Sequence, residues 1–380
     1  MASVLNIVFN DFTRDSRVRK ISRSLAAHGY AVRILCMYEE GLPRMEQKEG
    51  YTVTRFEIKS RKWKHIVLLR PLMYLEFIWK SLRYLRETDV LHINDVEPLP
   101  IGVIFRILSL GRVKLVYDAH ELESAKKGVG PKGQKMVRII ERSARPFVSG
   151  FITISESVAK YYRETHGFDP VILFNCPPSV PYEGPNDGLR TEFGLTEEDI
   201  IFIYQGGLAP GRGIEQLLEA FSSLKKPHRH LVILGFGRLE ELVKQADEAH
   251  SNIHFKASVP MEQLLRVTAG ADVGFSMLSR DCENHETTLP NKLFEYMAAR
   301  IPVIVSPVRE MSRYVRDFGI GHVLQTNSPE AIVEVVEHIE KSELDRFKAA
   351  LESYAGQFTW EVMEKKLIAL YDQVCETPDR

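Results

Sequence analysis

Apolar residues fall in short blocks, and stretches of helical spacing separate the blocks from one end of the chain to the other. The blocks at 4–9, 31–36, 51–57, 89–93, 113–117, 151–154 and 171–174 are rich in β-branched and aromatic residues and read as strands. Between them apolar positions recur three and four apart, as at Val18, Ile21, Leu25 and Ala26, which predicts helices. Strands alternating with helices predict parallel sheets covered on both faces. The pattern breaks at Asn175-Cys176-Pro177-Pro178, where proline density and lost periodicity predict a linker over 176–189. A second series follows, with strands at Ile200–Tyr204, His230–Leu234, Ile253–Phe255, Val273–Ser276 and Val303–Val305. Helices such as Ile214–Leu224 and Leu239–Glu248 separate them. The expectation is an α/β protein of two Rossmann-like domains, 1–175 and 190–359, with ligands in a cleft beyond the carboxyl ends of the strands.

A chain of 380 residues with 44% hydrophobic and 27% charged residues suits this class and is ordinary for a globular protein. Charge changes the picture more. Residues 1–170 carry 29 Lys and Arg against 19 Asp and Glu, and the remainder carries 21 against 32. A basic first half points to an anionic surface. No nucleic-acid-binding module is recognisable, so a membrane surface is the better candidate. Cys36, Cys176, Cys282 and Cys375 are scattered, which argues against a disulfide framework or a zinc site and fits a reducing cytoplasm. Residues Val4–Phe9 read as a first buried strand and not as the apolar core of a signal peptide.

Two segments of the first half suit an anionic surface. Lys62-Trp63-Lys64-His65, the apolar run Ile66–Trp79, and then Lys80, Arg83 and Arg86 make residues 62–86 basic and aromatic-rich. Arg70, Pro71 and Glu76 interrupt the run, which is too short to span a bilayer but can lie in the interface. Lys126, Lys127, Lys132 and Lys135 add a second basic stretch over 126–135. The plainer reading is a core helix with a solvated basic face.

Candidate chemistry gathers in strand-to-helix turns. Tyr204-Gln205-Gly206-Gly207-Leu208-Ala209-Pro210-Gly211-Arg212-Gly213 follows a strand and opens a helix. Its glycines let backbone approach a phosphate, and Arg212 offers paired donors, although tight packing also explains such turns. Gly235 lies in a second turn, Leu234-Gly235-Phe236-Gly237, and Ser258-Val259-Pro260 opens the next helix. Pro290 suits the first turn of a helix that Thr287 or Thr288 would cap. In that helix Leu293, Phe294, Met297 and Ala298 face a core, leaving Lys292 and Glu295 three apart on one edge. Phosphate at the helix N-terminus, a Lys beside it and a carboxylate one turn on for ribose hydroxyls would suit a nucleoside diphosphate. In the first half, Asp118-Ala119-His120-Glu121 follows a strand, and a histidine there can bond a sugar hydroxyl or titrate near neutral pH. Asn94-Asp95 ends the preceding strand. Asn10–Arg17 joins the first strand to the first helix, with Asp15 or Ser16 as N-cap and Arg17 able to reach an anionic acceptor.

The string Leu289-Pro290-Asn291-Lys292-Leu293-Phe294-Glu295-Tyr296-Met297, running on to Pro302-Val303-Ile304-Val305-Ser306, resembles the donor-binding segment of retaining glycosyltransferases of family 4, the glycosyl transferases group 1 with the GT-B fold. The resemblance covers essentially the whole chain. It implies an acceptor-binding first domain, a nucleotide-sugar-binding second domain, and a last helix, about 360–380, that returns to the first. In the family a Glu-x7-Glu motif ends at this helix. Glu295 matches its second Glu, and Thr287 stands where the first would fall, next to Glu286. Arg212 matches the usual basic residue of the diphosphate loop, and Gly207 stands where a second basic residue is common. The resemblance assigns donor contacts to Gly206, Gly207, Arg212, Gly235, Ser258, Val259, Thr287, Leu289, Pro290, Lys292 and Glu295. It assigns acceptor or sugar contacts to Asn10, Arg17, Asp95 and His120, the last as a positioning group and not a base.

The implied activity is metal-independent, retaining transfer of a hexosyl or N-acetylhexosaminyl group from a nucleoside diphosphate sugar to a glycan or lipid-linked acceptor of polysaccharide biosynthesis, by a cytoplasmic protein at the inner membrane face. The rivals are a nucleotide-sugar epimerase of the same fold and a weakly catalytic nucleotide-sugar-binding partner subunit. The base, the sugar, the acceptor and the oligomeric state stay open.

Overall fold

The computed structural model describes residues 2–13, 15–63, 66, 69–179 and 184–376. Positions 64, 65, 67 and 68 of the basic segment, 180–183 of the linker and 377–380 at the end of the last helix lie outside the described residues. The chain divides into two compact units, Met1–Phe174 with Met363–Arg380, and Asn175–Val362.

The first unit carries eight strands: β1 Ser3–Ile7, β2 Ala31–Met37, β3 Met45–Lys48, β4 Tyr51–Phe56, β5 Val90–Asn94, β6 Lys114–Asp118, β7 Gly150–Thr153 and β8 Pro170–Ile172. They lie in the order β3-β4-β2-β1-β5-β6-β7-β8. Every pairing is parallel except β3 with β4. The strand order reverses between β1 and β5, so the loops after β1, β5 and β6 share the carboxyl edge. Strand β3 was not anticipated. Its sequence, Met-Glu-Gln-Lys, has no apolar alternation, and backbone pairing across the Glu49-Gly50 turn makes it a strand, both residues having positive φ (42° and 88°). Helix Trp360–Glu376 packs under the same sheet; a side chain at Gly150 would lie 3.0 Å from Val374 and 3.2 Å from Leu370.

The second unit holds β9 Ile200–Gly207, β10 Arg229–Phe236, β11 Ile253–Ala257, β12 Val273–Ser276, β13 Val303–Val305 and β14 Gly321–Val323, in the parallel order β11-β10-β9-β12-β13-β14. The reversal falls between β9 and β12, so the glycine-rich loop leaves the sheet at its switch point. Strands β9 and β10 run past their apolar blocks to Gly207 and Phe236, because backbone pairing continues through Gly206↔Gly235 and Phe236↔Gly207. Each unit has its own apolar core, around Ile7, Ile93 and Leu115 in one and Phe202, Leu231 and Phe275 in the other.

Helix Arg70–Leu85 replaces most of the apolar run read at 66–79. Glu76, which looked like an interruption, accepts the backbone N–H groups of Lys59 (3.0 Å) and Ser60 (2.9 Å) and an ion pair from Lys80 (2.8 Å). One helix face is core, with Phe77 and Ser81 buried, while Leu75 (61%) and Trp79 (72%) stand exposed on the other. Among the described residues no helix is long and apolar enough to cross a membrane.

Candidate functional sites

In the second unit, β9 delivers Tyr204 and Gln205 to the sheet edge and then turns. Gly206 has φ +126°, and Gly213, N-cap of helix Ile214–Ser222, has φ +74°, with no room for a side chain because Met277 Cβ would lie 2.5 Å away. Arg212 stands exposed in this turn. Gly235 is explained by packing, since a Cβ there would lie 2.0 Å from the Gly206 carbonyl oxygen. Ser258 and Val259 sit in the loop after β11.

Helix Asn291–Ala298 begins one residue later than the sequence implied. Pro290, with φ −64° and ψ 144°, is its N-cap, and no side chain caps the helix. Thr287 and Thr288 therefore do not cap it. Thr287 is buried at the end of the short helix Glu283–Thr287, and its hydroxyl donates to the carbonyls of Glu283 (3.1 Å) and Asn284 (3.2 Å). That hydroxyl is turned into its own helix. Glu286, next to it, accepts from Arg280 Nε (2.7 Å) and the Arg309 backbone N–H (2.8 Å). Leu289 is buried packing, and Leu293, Phe294 and Met297 are core residues as read.

Lys292 is the unusual group. It is buried, its Nζ has no hydrogen-bond partner, and the atom lies 3.7 Å from the centroid of the Tyr204 ring. The same nitrogen would be 3.7 Å from a Cβ at Gly206, so the amine faces the backbone of the glycine loop. Burial, and then the charge of Arg212, pull its pKa down to about 7, against the attraction of Glu295. A buried amine without an acceptor is costly, and an anion is the group that would satisfy it. One turn on, Glu295 accepts from Gln205 Nε2 at 2.6 Å. Tyr296 fixes the helix to the sheet, its hydroxyl 3.1 Å from Phe275 O and accepting the Gln205 N–H at 3.2 Å. Its ring occupies the space that Gly274 leaves open. Gly206, Lys292 and Glu295 are thus brought together, with Arg212 close enough to act on the amine.

In the first unit, β6 ends in Asp118, whose fully buried carboxylate takes two bonds from Arg17, from Nε at 2.9 Å and Nη2 at 2.8 Å. Arg17 Nη1 donates to Leu173 O at 2.7 Å. Arg17 is 4% exposed and all its bonds point inward, so it does not reach an acceptor; it anchors Asp118. Asn10 is exposed, but its amide closes its own loop, bonding Phe12 N (2.8 Å) and Asp15 (3.3 Å), and Asp15 caps the helix through Val18 N.

His120 lies between two carboxylates, its Nε2 3.3 Å from Asp118 and its Nδ1 3.7 Å from Asp95. Burial opposes its charge, but Asp95 and Asp118 outweigh it and raise the pKa to about 9. Neutral titration, one expectation for this ring, is therefore corrected: at neutral pH it is an imidazolium, able to donate and not to accept a proton. Asp95 is held in the left-handed region (φ +65°) and is kept ionised, against burial, by His120 and Lys126. Glu123, 2% exposed, is pushed well above the carboxylate range by burial and by Asp95, and pairs with Lys126 at 2.8 Å. Lys126 is thereby engaged inside this cluster, which removes it from the basic surface read at 126–135. Behind Asp118, His92 Nδ1 lies 2.7 Å from the Tyr371 hydroxyl of the last helix. Asn94 bonds Asn6 (2.5 Å) and Ile7 O (3.1 Å), an internal role.

The sequence reading named Asp118 only within the string around His120, and gave no role to Gln205 or Glu123. A polar residue ending an otherwise apolar strand was the available signal for Gln205 and Asp118; Glu123 had none. Counting cysteine spacing also missed one group. Among the described residues, ligand atoms of Asp281, Cys282 and His285 lie within 4.8 Å of one another, although His285 Nδ1 is already 2.8 Å from Ser279 O and 3.0 Å from Asp281.

Residues 186–371 match the family model described as glycosyl transferases group 1, and residues 16–176 match that of glycosyltransferase family 4. The chain belongs to the family 4 glycosyltransferases, and its fold is GT-B. A D-inositol 3-phosphate glycosyltransferase from Geodermatophilus obscurus is 21% identical over 286 residues, 70% of this chain and 62% of that protein, so the match spans less than two thirds of that relative. A phosphatidyl-myo-inositol mannosyltransferase from Mycobacterium tuberculosis is 21% identical over 300 residues, 75% of this chain and 74% of that protein. The Anabaena protein HepE, crystallised with UDP and glucose, superposes with a TM-score of 0.73 at 14% identity, covering 98% of this chain and 100% of that one.

Proposed function

We propose that this protein is a retaining glycosyltransferase that moves a hexosyl or N-acetylhexosaminyl group from a nucleoside diphosphate sugar, UDP-linked in the first instance, to a lipid-linked or glycan acceptor at the inner face of an anionic membrane. The observation that carries the reading is Lys292, a buried amine without a partner at the glycine loop, one turn before a carboxylate. Lys292 and Arg212 would take the diphosphate and stabilise it as charge develops on departure, without a metal ion. Glu295 would hold the ribose hydroxyls. His120, cationic between Asp95 and Asp118, would donate to a hydroxyl of the sugar. Transfer would occur on one face of the sugar, the leaving phosphate helping to deprotonate the acceptor. The UDP choice draws on HepE, and the lipid-linked acceptor draws on the phosphatidyl-myo-inositol named for the mannosyltransferase.

The membrane reading is supported by exposed apolar side chains on neighbouring elements of the first unit. They include Leu75, Trp79, Leu110 (95%), Met136 and Ile139, interspersed with exposed Arg83, Arg86, Lys132 and Lys135. Apolar wedges with a basic rim suit an anionic interface, each Lys or Arg contributing about 1 kcal/mol near such a surface. Flotation with vesicles should require anionic lipid and weaken with salt. Salt-insensitive or absent binding would argue for a soluble acceptor. Among the described residues the cysteines form no disulfide, which suits a reducing cytoplasm.

Calorimetric titration with UDP, GDP and ADP, without added metal, tests the donor site. Selective binding of one nucleotide supports the reading; binding of none refutes it. Thr287 favours one second reading, a nucleotide-sugar-binding partner subunit with weak catalysis, because its hydroxyl is turned into its own helix. Nucleotide binding without transfer to any acceptor by the purified protein would decide for that alternative.

A further inference from the structure

We propose that Gln205 sets the ribose selectivity of this site, by pinning the carboxylate of Glu295 in the orientation that receives the sugar hydroxyls of the nucleotide. The inference rests on the donor reading above and adds a residue and a selectivity to it.

Gln205 ends the buried part of β9 and is 2% exposed. A carboxylate only accepts hydrogen bonds, so the amide must present Nε2 to Glu295, at 2.6 Å. That leaves Oε1 on the far side, where the fully buried Thr268 hydroxyl donates to it at 2.6 Å. Thr268 is the last residue of helix Met261–Thr268, and its hydroxyl also lies 2.7 Å from Leu264 O. The amide is therefore held at both ends and cannot flip without setting oxygen against oxygen at Glu295. The Gln205 backbone N–H is bonded to Tyr296, so consecutive residues of one helix, Glu295 and Tyr296, are tied to one residue of β9.

A free glutamate would lose rotamer freedom on meeting a ligand, and here that freedom is already removed. A carboxylate held by a charge-assisted bond is a fixed acceptor, and vicinal hydroxyls are the groups a fixed acceptor distinguishes best. A role confined to packing would make Gln205 a bridge between β9 and two helices and would carry no selectivity.

The two roles separate in one measurement: the affinities of UDP and 2′-deoxy-UDP for the full chain, in wild type, Gln205→Met and Glu295→Ala. Wild type should prefer UDP by about ten- to a hundredfold, the range of a hydrogen bond to a charged group. Gln205→Met should bring the preference to within about threefold, as Glu295→Ala should. Equal loss of both affinities in Gln205→Met, with the preference intact, would overturn the proposal and leave the donor site standing. A wild type that binds both nucleotides equally removes the ribose role of Glu295, and one that binds neither removes the nucleotide site. Thr268→Val leaves Glu295 and Gln205 in place and serves if Gln205→Met does not fold. It should lower the preference about threefold, and an unchanged preference would count against the proposal.

Discussion

The two candidate sites handle buried charge in opposite ways. Around Asp118 in the first unit cations face carboxylates: Arg17 bonds Asp118 twice, His120 sits between Asp118 and Asp95, and Asp95 also attracts Lys126. Around Lys292 in the second unit the repulsion of Arg212 outweighs the attraction of Glu295, and the amine has no hydrogen-bond partner. The first arrangement is neutralised within the fold, although His120 Nε2 has no hydrogen-bond partner there. The second is complete only with an anion in place. Fold stability should therefore depend on the first site and ligand affinity on the second.

The largest effect should come from Asp118→Ala, which strands the Arg17 guanidinium in the interior. Losing one partner of a buried pair costs about 3–5 kcal/mol, and urea unfolding should show it. A loss below about 1 kcal/mol would mean that water or another acceptor reaches Arg17. Lys292→Met should do the reverse. Stability should hold or rise, because a desolvated amine is replaced by an apolar chain, while UDP affinity should fall by about 1.5–3 kcal/mol. If stability fell and affinity held, the contrast between the sites would be inverted.

Protonation sharpens the comparison. The amine of Lys292 titrates at about 7 in the empty site, and a bound diphosphate would raise that value. Binding would then take up a proton, so UDP affinity should weaken as the pH rises above about 7, by up to tenfold per unit, or about 1.4 kcal/mol. Lys292→Met should flatten the profile, and a flat wild-type profile would exclude proton uptake. His120 has the opposite sign. Its folded value, about 9, lies above its free value of about 6.5, so its ion pairs contribute fully below about 6.5 and are lost as the pH climbs through 9. The smallest effect should be that of Tyr371→Phe. It removes the bond to His92 from the last helix and should cost about 1 kcal/mol in thermal or urea unfolding, with nucleotide affinity unchanged.

Most strands were legible because buried parallel strands are nearly continuous apolar runs, as at Val273–Ser276 and Val303–Val305. Strands β3 and β14 were not, since edge strands of three or four residues rest on backbone pairing and carry no pattern of their own. Lys292 and Glu295 were legible as neighbours because helical spacing alone puts residues three apart on one edge. Arg17 as an acceptor contact and Thr287 as a helix cap were misread for one reason: a polar residue beside a candidate site looks free until its partners are known. Those partners are distant in the chain for Arg17, at Asp118 and Leu173, and local but invisible to periodicity for Thr287.

The order of strands and helices, the family, and the placing of a basic residue and a carboxylate at a glycine-rich turn follow from the sequence, because each depends on short-range periodicity or on a contiguous string. Which charges are neutralised does not. Burial and partnership are set by residues a hundred positions apart, such as Arg17 with Asp118 or Lys292 with Tyr204, and only tertiary structure brings these together. Desolvation then disfavours both cations: at His120 the surrounding carboxylates outweigh it and raise the pKa, and at Lys292, where no carboxylate is bonded to the amine, it prevails and lowers the pKa.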